Sequence, residues 1–308
     1  MNSILINFPT NIGDVILALP ALDKVRSNYP QAKITAIASP RSQTFLVKNT
    51  LIDEVVIFDK SWTAMRKLRF SLNLRGRYDM IVDLKNSFLP VLLGIGKHTP
   101  FIRLFSNKVH IVDKYLTVIS RLAPHPAKVK SDFLLEEDSR KRWDSLQFNR
   151  ALFIACTSLS HIKQYPLKHL REVIEHFEGK CQIVIIGAEA DREFYKDALQ
   201  RKGVVDLVGE TSMWDIFYLL KNYAGVLLGA DSSLTHLASY LGVAVVALFG
   251  PTSYERSYPR SPGSVVLRRT ELACLPCEMA QCSHDHNACM DIEPKSVIEA
   301  ITTILSNG

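Results

Sequence analysis

The sequence predicts an α/β fold of two similar halves, each a mostly parallel sheet with helices on both faces, separated by a cleft. Three observations carry that reading. Short apolar runs alternate with segments of helical length along the chain. The alternation breaks at Ala123-Pro-His-Pro-Ala-Lys-Val-Lys130 and restarts at Ala151. Residues 225–249 spell a complete βαβ unit: an apolar strand, a turn at Gly229 to Asp231, a short helix and a second apolar strand.

A chain of 308 residues is long enough for two domains with separate cores, and the boundary is set at 149, giving 1–149 and 150–308. Hydrophobic content of 47% with 22% charge suits a globular protein. No apolar run approaches the roughly 18 to 20 residues of a membrane span. The first residues lack a basic region and carry Asp14 within their apolar stretch, which argues against a signal peptide and for the cytoplasm. No short-period repeat is present.

In the first half, Ile4 to Phe8, Lys33 to Ala38, Glu54 to Phe58 and Asp79 to Leu84 read as strands. The turn after the first, Pro9-Thr-Asn-Ile-Gly-Asp14, has one glycine and so is not a G-x-G-x-x-G dinucleotide turn. Gly13 lets backbone approach a ligand there. Asp14 sits where open α/β sheets bind substrates, as either a helix cap or a general base toward a sugar hydroxyl. Val15, Leu19, Leu22 and Val25 give the next helix a buried face, with a kink expected at Pro20. A short helix over 136–146 is expected to pack on this first half.

The second half opens with strand Ala151 to Cys156, followed by Thr157 and Ser158 at its end and Lys163 ahead of a Tyr-Pro pair. Lys163 is either a solvated charge or the partner of a diphosphate leaving group. After strand Gln182 to Ile186, Glu189 and Asp191 are candidates for ribose hydroxyls or for the N-terminus of their own helix. In the βαβ unit, Asp231, Ser232 and Ser233 are N-cap residues at a helix start that suits a phosphate, and His236 lies on the face looking back over it. An ordinary capped helix is the competing reading.

Charge is unevenly divided: residues 1–150 hold 23 Lys and Arg against 13 Asp and Glu, and the remainder 14 against 18. The densest run is Arg66, Lys67, Arg69, Arg75 and Arg77, a field for nucleic acid, for a phosphorylated lipid at a membrane, or simply a solvated helix face. Cys274, Cys277, Cys282 and Cys289 fall within 16 residues, with His284 and His286 among them. In a cytosolic chain four such thiols suit a structural Zn²⁺ or iron, with reduced thiols or disulfides as the other readings. Cys156 and Cys181 read as core residues.

Taken in order, the motifs resemble glycosyltransferase family 9, the heptosyltransferases of lipopolysaccharide core assembly. They are Ile12-Gly-Asp14 followed by Ala18-Leu-Pro-Ala-Leu22, Lys163-Gln-Tyr-Pro166, Gly187-Ala-Glu189 with Asp191, Asp231-Ser-Ser-Leu-Thr-His-Leu-Ala238, and Leu248-Phe-Gly-Pro-Thr252. The resemblance spans nearly the whole chain. It implies a GT-B fold, with acceptor binding in the N-terminal domain, nucleotide-sugar binding in the C-terminal domain, and a last helix, Pro294 to Leu305, that braces the two.

It also implies an inverting transferase that takes ADP-heptose and a phosphorylated lipid A–core acceptor at the inner membrane surface. Peripheral membrane association goes with that acceptor, and nucleic acid drops out as a partner. Asp14 then resembles the catalytic base and Lys163 the lysine that meets the diphosphate. Gly13, Thr157, Ser158, Glu189, Asp191, Asp231, Ser232, Ser233 and His236 resemble nucleotide-sugar contacts. No catalytic cofactor is implied, and no Asp-x-Asp motif offers a metal. Three positions depart from the family: Ser232-Ser233 stands where Thr-Gly is common, Ser158-Leu159 replaces a hydroxyl pair, and Asp191 is shorter than the usual glutamate. Another nucleotide sugar or acceptor (protein, O-antigen, capsule) is the alternative within the family. A non-catalytic nucleotide-sugar-binding module is the alternative outside it.

Overall fold

The computed structural model describes residues 1–100, 108–158, 160–283 and 287–307. It divides into two units, Met1–Leu134 and Leu135–Gly308.

The first unit runs β1 (Ser3–Asn7), α1 (Ile12–Asn28), β2 (Lys33–Ala38), α2 (Pro40–Leu46), β3 (Glu54–Ile57), α3 (Ala64–Leu74), β4 (Met80–Asp83), α4 (Leu89–Leu93) and α5 (Ile111–Ile119). Its sheet is parallel in the order β3-β2-β1-β4. Ile4, Leu5 and Ile6 of the inner strand β1 are fully buried, as a parallel strand covered on both faces requires. α1 runs through Pro20 to Asn28 and buries Val15, Leu19, Leu22 and Val25, the face expected from their spacing.

The second unit runs α6 (Glu137–Asp144), β5 (Ala151–Ala155), α7 (Leu167–Phe177), β6 (Ile183–Gly187), α8 (Arg192–Leu199), β7 (Val204–Val208), α9 (Met213–Tyr223), β8 (Ala224–Ala230), α10 (Ser233–Leu241), β9 (Ala244–Leu248), α11 (Tyr254–Ser257), β10 (Val265–Leu267) and α12 (Pro294–Ser306). Its parallel sheet has the order β10-β9-β8-β5-β6-β7. Cys156 lies in the core with Leu152, Ile154 and Leu228, and the partly buried Cys181 packs against it. α12 packs on α7, β8 and β9 of its own unit. No helix among the described residues is long and apolar enough to cross a membrane.

The division falls between Leu134 and Leu135, not at 149, because α6 packs on α9 of the second unit. Its anchor is Trp143, which is 1% exposed and whose indole N–H donates to Asp215 Oδ1 at 2.7 Å. Asp215 also accepts from the Ser212 backbone and hydroxyl, closing the capping box of α9. The next residue, Asp144, accepts from the hydroxyls of Tyr218 and Tyr223, and those bonds hold its carboxyl below the usual range. Trp143→Ala is expected to destabilise the second unit by about 3–5 kcal/mol, seen as a lower urea midpoint, through the cavity it leaves. Trp143→Phe keeps most of the volume but strands the carboxylate, and is expected to cost about 1–3 kcal/mol.

Candidate functional site

In the first unit the carboxyl ends of β1 and β4 lie side by side. β1 leads through residues 8–11 into α1, whose first turn carries Gly13 and the half-buried Asp14. This turn is held from β2: Phe8 N–H donates to Ile37 O at 3.1 Å, and the Ser39 hydroxyl donates to Thr10 O at 2.7 Å. The Asn11 amide donates to Asp14 Oδ2 at 3.2 Å, and no cap hydrogen bond is made by the Asn11 side chain. Asp14 is thus oriented by its neighbour and is a first-turn residue, not the N-cap.

A second carboxylate at this edge, Asp83, was not singled out by the sequence reading. Asn7 Nδ2 donates to it at 2.8 Å, and the Ser87 backbone and hydroxyl donate at 2.6 and 2.9 Å. Burial pushes its carboxyl up, against the pull of those hydrogen bonds. It fixes the loop between β4 and α4. Its only advance signal is position, at the end of a fully buried apolar strand.

In the second unit the expected residues converge at the carboxyl ends of β5 and β8. Lys163, in a 3₁₀ turn after β5, donates through Nζ to Asp231 Oδ2 at 2.8 Å, and His236 Nε2 is 3.6 Å from Asp231 Oδ1. Burial would push the Asp231 carboxyl up, but the charges of His236 and Lys163, with hydrogen bonds from Lys163 and Thr252, hold it below the usual carboxylate range. Asp231 therefore remains ionised at neutral pH and holds the lysine in place.

α10 begins beside this pair. Ser232 is its N-cap by backbone conformation, yet its hydroxyl makes no capping bond, and its Oγ is buried with no hydrogen-bond partner. Ser233 opens the helix. An unclaimed hydroxyl at a helix N-terminus, next to an ammonium group, presents donors where an anion would sit. The strand and helix can approach this closely because of Gly229: a Cβ there would lie 2.6 Å from Thr235 Oγ1. Thr235 in turn donates to Ala230 O at 2.6 Å.

Thr157 is buried at the end of β5, and Ser158 Oγ accepts from Ser160 N–H at 3.4 Å. Leu159 lies outside the described residues. Glu189 pairs with Arg192 at 3.0 Å, and Asp191 Oδ2 accepts from Ala188 N–H at 2.8 Å. Both acids therefore serve their own turn at the end of β6, and neither joins the Lys163–Asp231 group by a described contact.

Two hydroxyls complete that group, and the sequence reading assigned a role to neither. Thr252 donates to Asp231 Oδ2 at 2.7 Å, and Ser257 Oγ is 3.4 Å from Oδ1. Thr252 ends the Leu248–Thr252 motif, which was quoted for the resemblance alone. Its loop is clamped by the cysteine segment: Glu278 donates its N–H to Pro251 O and accepts from Ser253 N–H, each at 2.9 Å. A Cβ on Gly250 would meet Met290 Sδ at 2.5 Å and Cys289 Sγ at 3.0 Å, so only glycine lets the two segments close. Thr252→Val is expected to lower kcat/KM for the donor by roughly ten- to a hundredfold, by removing one charge-assisted hydrogen bond from Asp231. Thr252→Ser should restore it; equal rates for all three proteins would discard the role.

Among the cysteines of that segment, Cys289 is buried, Cys277 and Cys282 are half-buried and Cys274 is exposed. Burial, then the neighbouring Cys277, Cys282 and Cys274, push the Cys289 thiol up. Among the described residues no three His, Cys, Asp or Glu side chains are grouped to hold a metal ion. His284 and His286 lie outside the described residues.

Comparison with known proteins gives the family. The chain is 26% identical over 325 residues to lipooligosaccharide heptosyltransferase 2 of Campylobacter jejuni, covering 99% of each. It shares its fold with E. coli ADP-heptose lps heptosyltransferase II at a TM-score of 0.77 and 20% identity, over 100% of this chain and 99% of that one. The iron-containing dodecameric glycosyltransferase TibC of enterotoxigenic E. coli matches at a TM-score of 0.61 and 15% identity, over 99% and 76%. The α/β fold is accordingly that of the GT-B class. Residues 101–288 match the family model described as glycosyltransferase family 9 (heptosyltransferase). With that match over more than half its length, the chain belongs to glycosyltransferase family 9 and is a glycosyltransferase.

Proposed function

We propose that this enzyme moves a heptose from ADP-heptose to a phosphorylated lipopolysaccharide core acceptor, with inversion and without a catalytic metal. The observation that carries the reading is the pairing of partly buried Lys163 with buried Asp231, beside the unclaimed Ser232 hydroxyl at the start of α10. In transfer, the bond from the anomeric carbon to the nucleotide oxygen breaks, and the diphosphate gains charge. Lys163 and the first N–H groups of α10 meet that charge with donors fixed before the reaction. Asp14 takes the acceptor's hydroxyl proton as that oxygen attacks the anomeric carbon from the face opposite the leaving diphosphate. Gly13, Thr157, Ser158, Ser233 and His236 line the nucleotide sugar in this reading, and Glu189 or Asp191 reaches the ribose by exchanging its present partner.

The N-terminal unit takes the acceptor and the C-terminal unit the donor. A lipid-linked acceptor puts the enzyme in the cytoplasm at the inner membrane surface, and the basic first half suits its phosphates. Cys274, Cys277, Cys282 and Cys289 are the donor type of a structural Zn²⁺ or iron, since a soft cation binds thiolates and removes their mutual repulsion, and holding one would require the four side chains to draw together. Bound there, the ion would brace the loop that Glu278 ties to Pro251 and Ser253. Being iron-containing is a named property of TibC.

The test is transfer from ADP-heptose to a deacylated, phosphorylated core acceptor in the presence of EDTA, run against UDP- and GDP-sugars and against protein and O-antigen acceptors. Transfer from ADP-heptose alone, undiminished by EDTA, is the expected result. A preference for another donor or acceptor would move the enzyme elsewhere within its family.

A further inference from the structure

The first unit carries an apolar surface that its own core leaves unused. α3 has two apolar stripes. Phe70 and Leu74 face inward and join one cluster with Leu89 and Leu93 of α4. Met65, Leu68 and Leu72, spaced i, i+3, i+7, face outward and are 75%, 51% and 55% exposed. α4 packs against α3 and adds Val91 and Leu92, 62% and 57% exposed. The inward faces of both helices enter one cluster, so α3 and α4 are neighbours at the surface of the unit. Five large apolar side chains left exposed on two neighbouring helices mark a contact surface.

Charge decides what the surface meets. Residues 60–85 hold seven Lys and Arg against two Asp and Glu. Arg66, Arg69, Arg75 and Arg77 are exposed; Arg66 stacks on Trp62 at 4.1 Å and Arg75 reaches across to Gly94 at the end of α4. Along α3, Arg69 borders the outward stripe, and Arg75 follows at the C-cap of the helix. A second copy of this chain would bring the same arginines face to face, which like-charge repulsion opposes. An anionic bilayer satisfies both features: apolar side chains enter the boundary between headgroups and acyl chains, and arginines reach the phosphates.

We propose that the outward faces of α3 and α4 are a docking surface for an anionic phospholipid bilayer. The surface deepens the proposed use of a membrane-held acceptor and rests on that reading, but its primary readout, vesicle binding, needs neither donor nor acceptor. The full chain is floated with phosphatidylcholine vesicles with and without about one third phosphatidylglycerol. Binding to the anionic vesicles, weakened by added salt, is expected. Arg66→Gln with Arg69→Gln should lower the partition coefficient roughly thirtyfold, and Leu68→Ser with Leu72→Ser at least about tenfold. The leucine pair should leave transfer to a deacylated, water-soluble acceptor unchanged, which also shows that the variant is folded. A wild-type protein that floats with neither vesicle overturns the proposal and leaves the transferase reading standing. A protein that floats but transfers no heptose overturns the other and leaves this one. Self-association at rising concentration that the leucine pair abolishes, seen by sedimentation, would assign the face to a second copy and overturn membrane docking.

Discussion

Asp14→Asn should reduce transfer by about a hundred- to ten-thousandfold, the usual contribution of a positioned general base, while the affinity for the nucleotide sugar stays within a few-fold of wild type. The substitution keeps the volume and most of the hydrogen bonding of the side chain, so the first turn of α1 is preserved. Asn11 loses its carboxylate acceptor but keeps an amide oxygen in the same place. What disappears is the capacity to accept a proton. The turn itself is held by Ser39 and Ile37 through residues 8 and 10, neither of which touches the altered group. Single-turnover transfer and equilibrium donor binding, measured on the same preparation, check the result. Activity within tenfold of wild type would remove Asp14 from the role of base, and would turn attention to the buried Asp83 at the same sheet edge.

Lys163→Met should lower kcat by about a hundred- to a thousandfold, as expected when one preset donor to a developing anion is lost. It has a second consequence. Asp231 is nearly buried, and without the lysine its carboxylate keeps, among the described residues, the contacts to Thr252, Ser257 and His236. Removing one member of a buried pair leaves an uncompensated charge, so the single variant should also be less stable. Lys163→Met with Asp231→Asn removes both charges and should regain stability without regaining activity. That split separates chemistry from folding: a double variant that recovers both would mean that the lysine serves structure alone. Lys163→Arg tests geometry, since its planar fork replaces a compact ammonium group and should restore the pairing better than the rate.

Much of this was legible in the residues. Alternating apolar runs gave β1 to β6, β8 and β9 to within a residue or two, because an inner strand buried on both faces must be continuously apolar, and even the half-buried edge strand β3 keeps Val55, Val56 and Ile57 together. Val204–Val208 escaped because Asp206 interrupts it, its charge taken up by Arg192 at 2.6 Å. Val265–Leu267 escaped because three residues at a sheet edge carry too little pattern. The boundary was read fifteen residues late. Polar α6 has one large apolar anchor, and nothing local says that Trp143 finds Asp215 seventy-two residues on.

By itself the sequence determined the two α/β units, the motif order that gives the family, and the strand ends at which Asp14, Lys163 and Asp231 had to fall. These follow from local rules: apolar continuity, helix period and the polar turn at a strand's carboxyl end. Only the tertiary structure decided that Thr252 and Ser257 bind Asp231, that Glu278 clamps the Pro251–Ser253 turn, and which apolar stripe of α3 faces outward. The reason is physical. A helix with two apolar stripes has the same periodicity whichever one is buried, and a hydroxyl's partner is settled by packing between segments far apart in the chain.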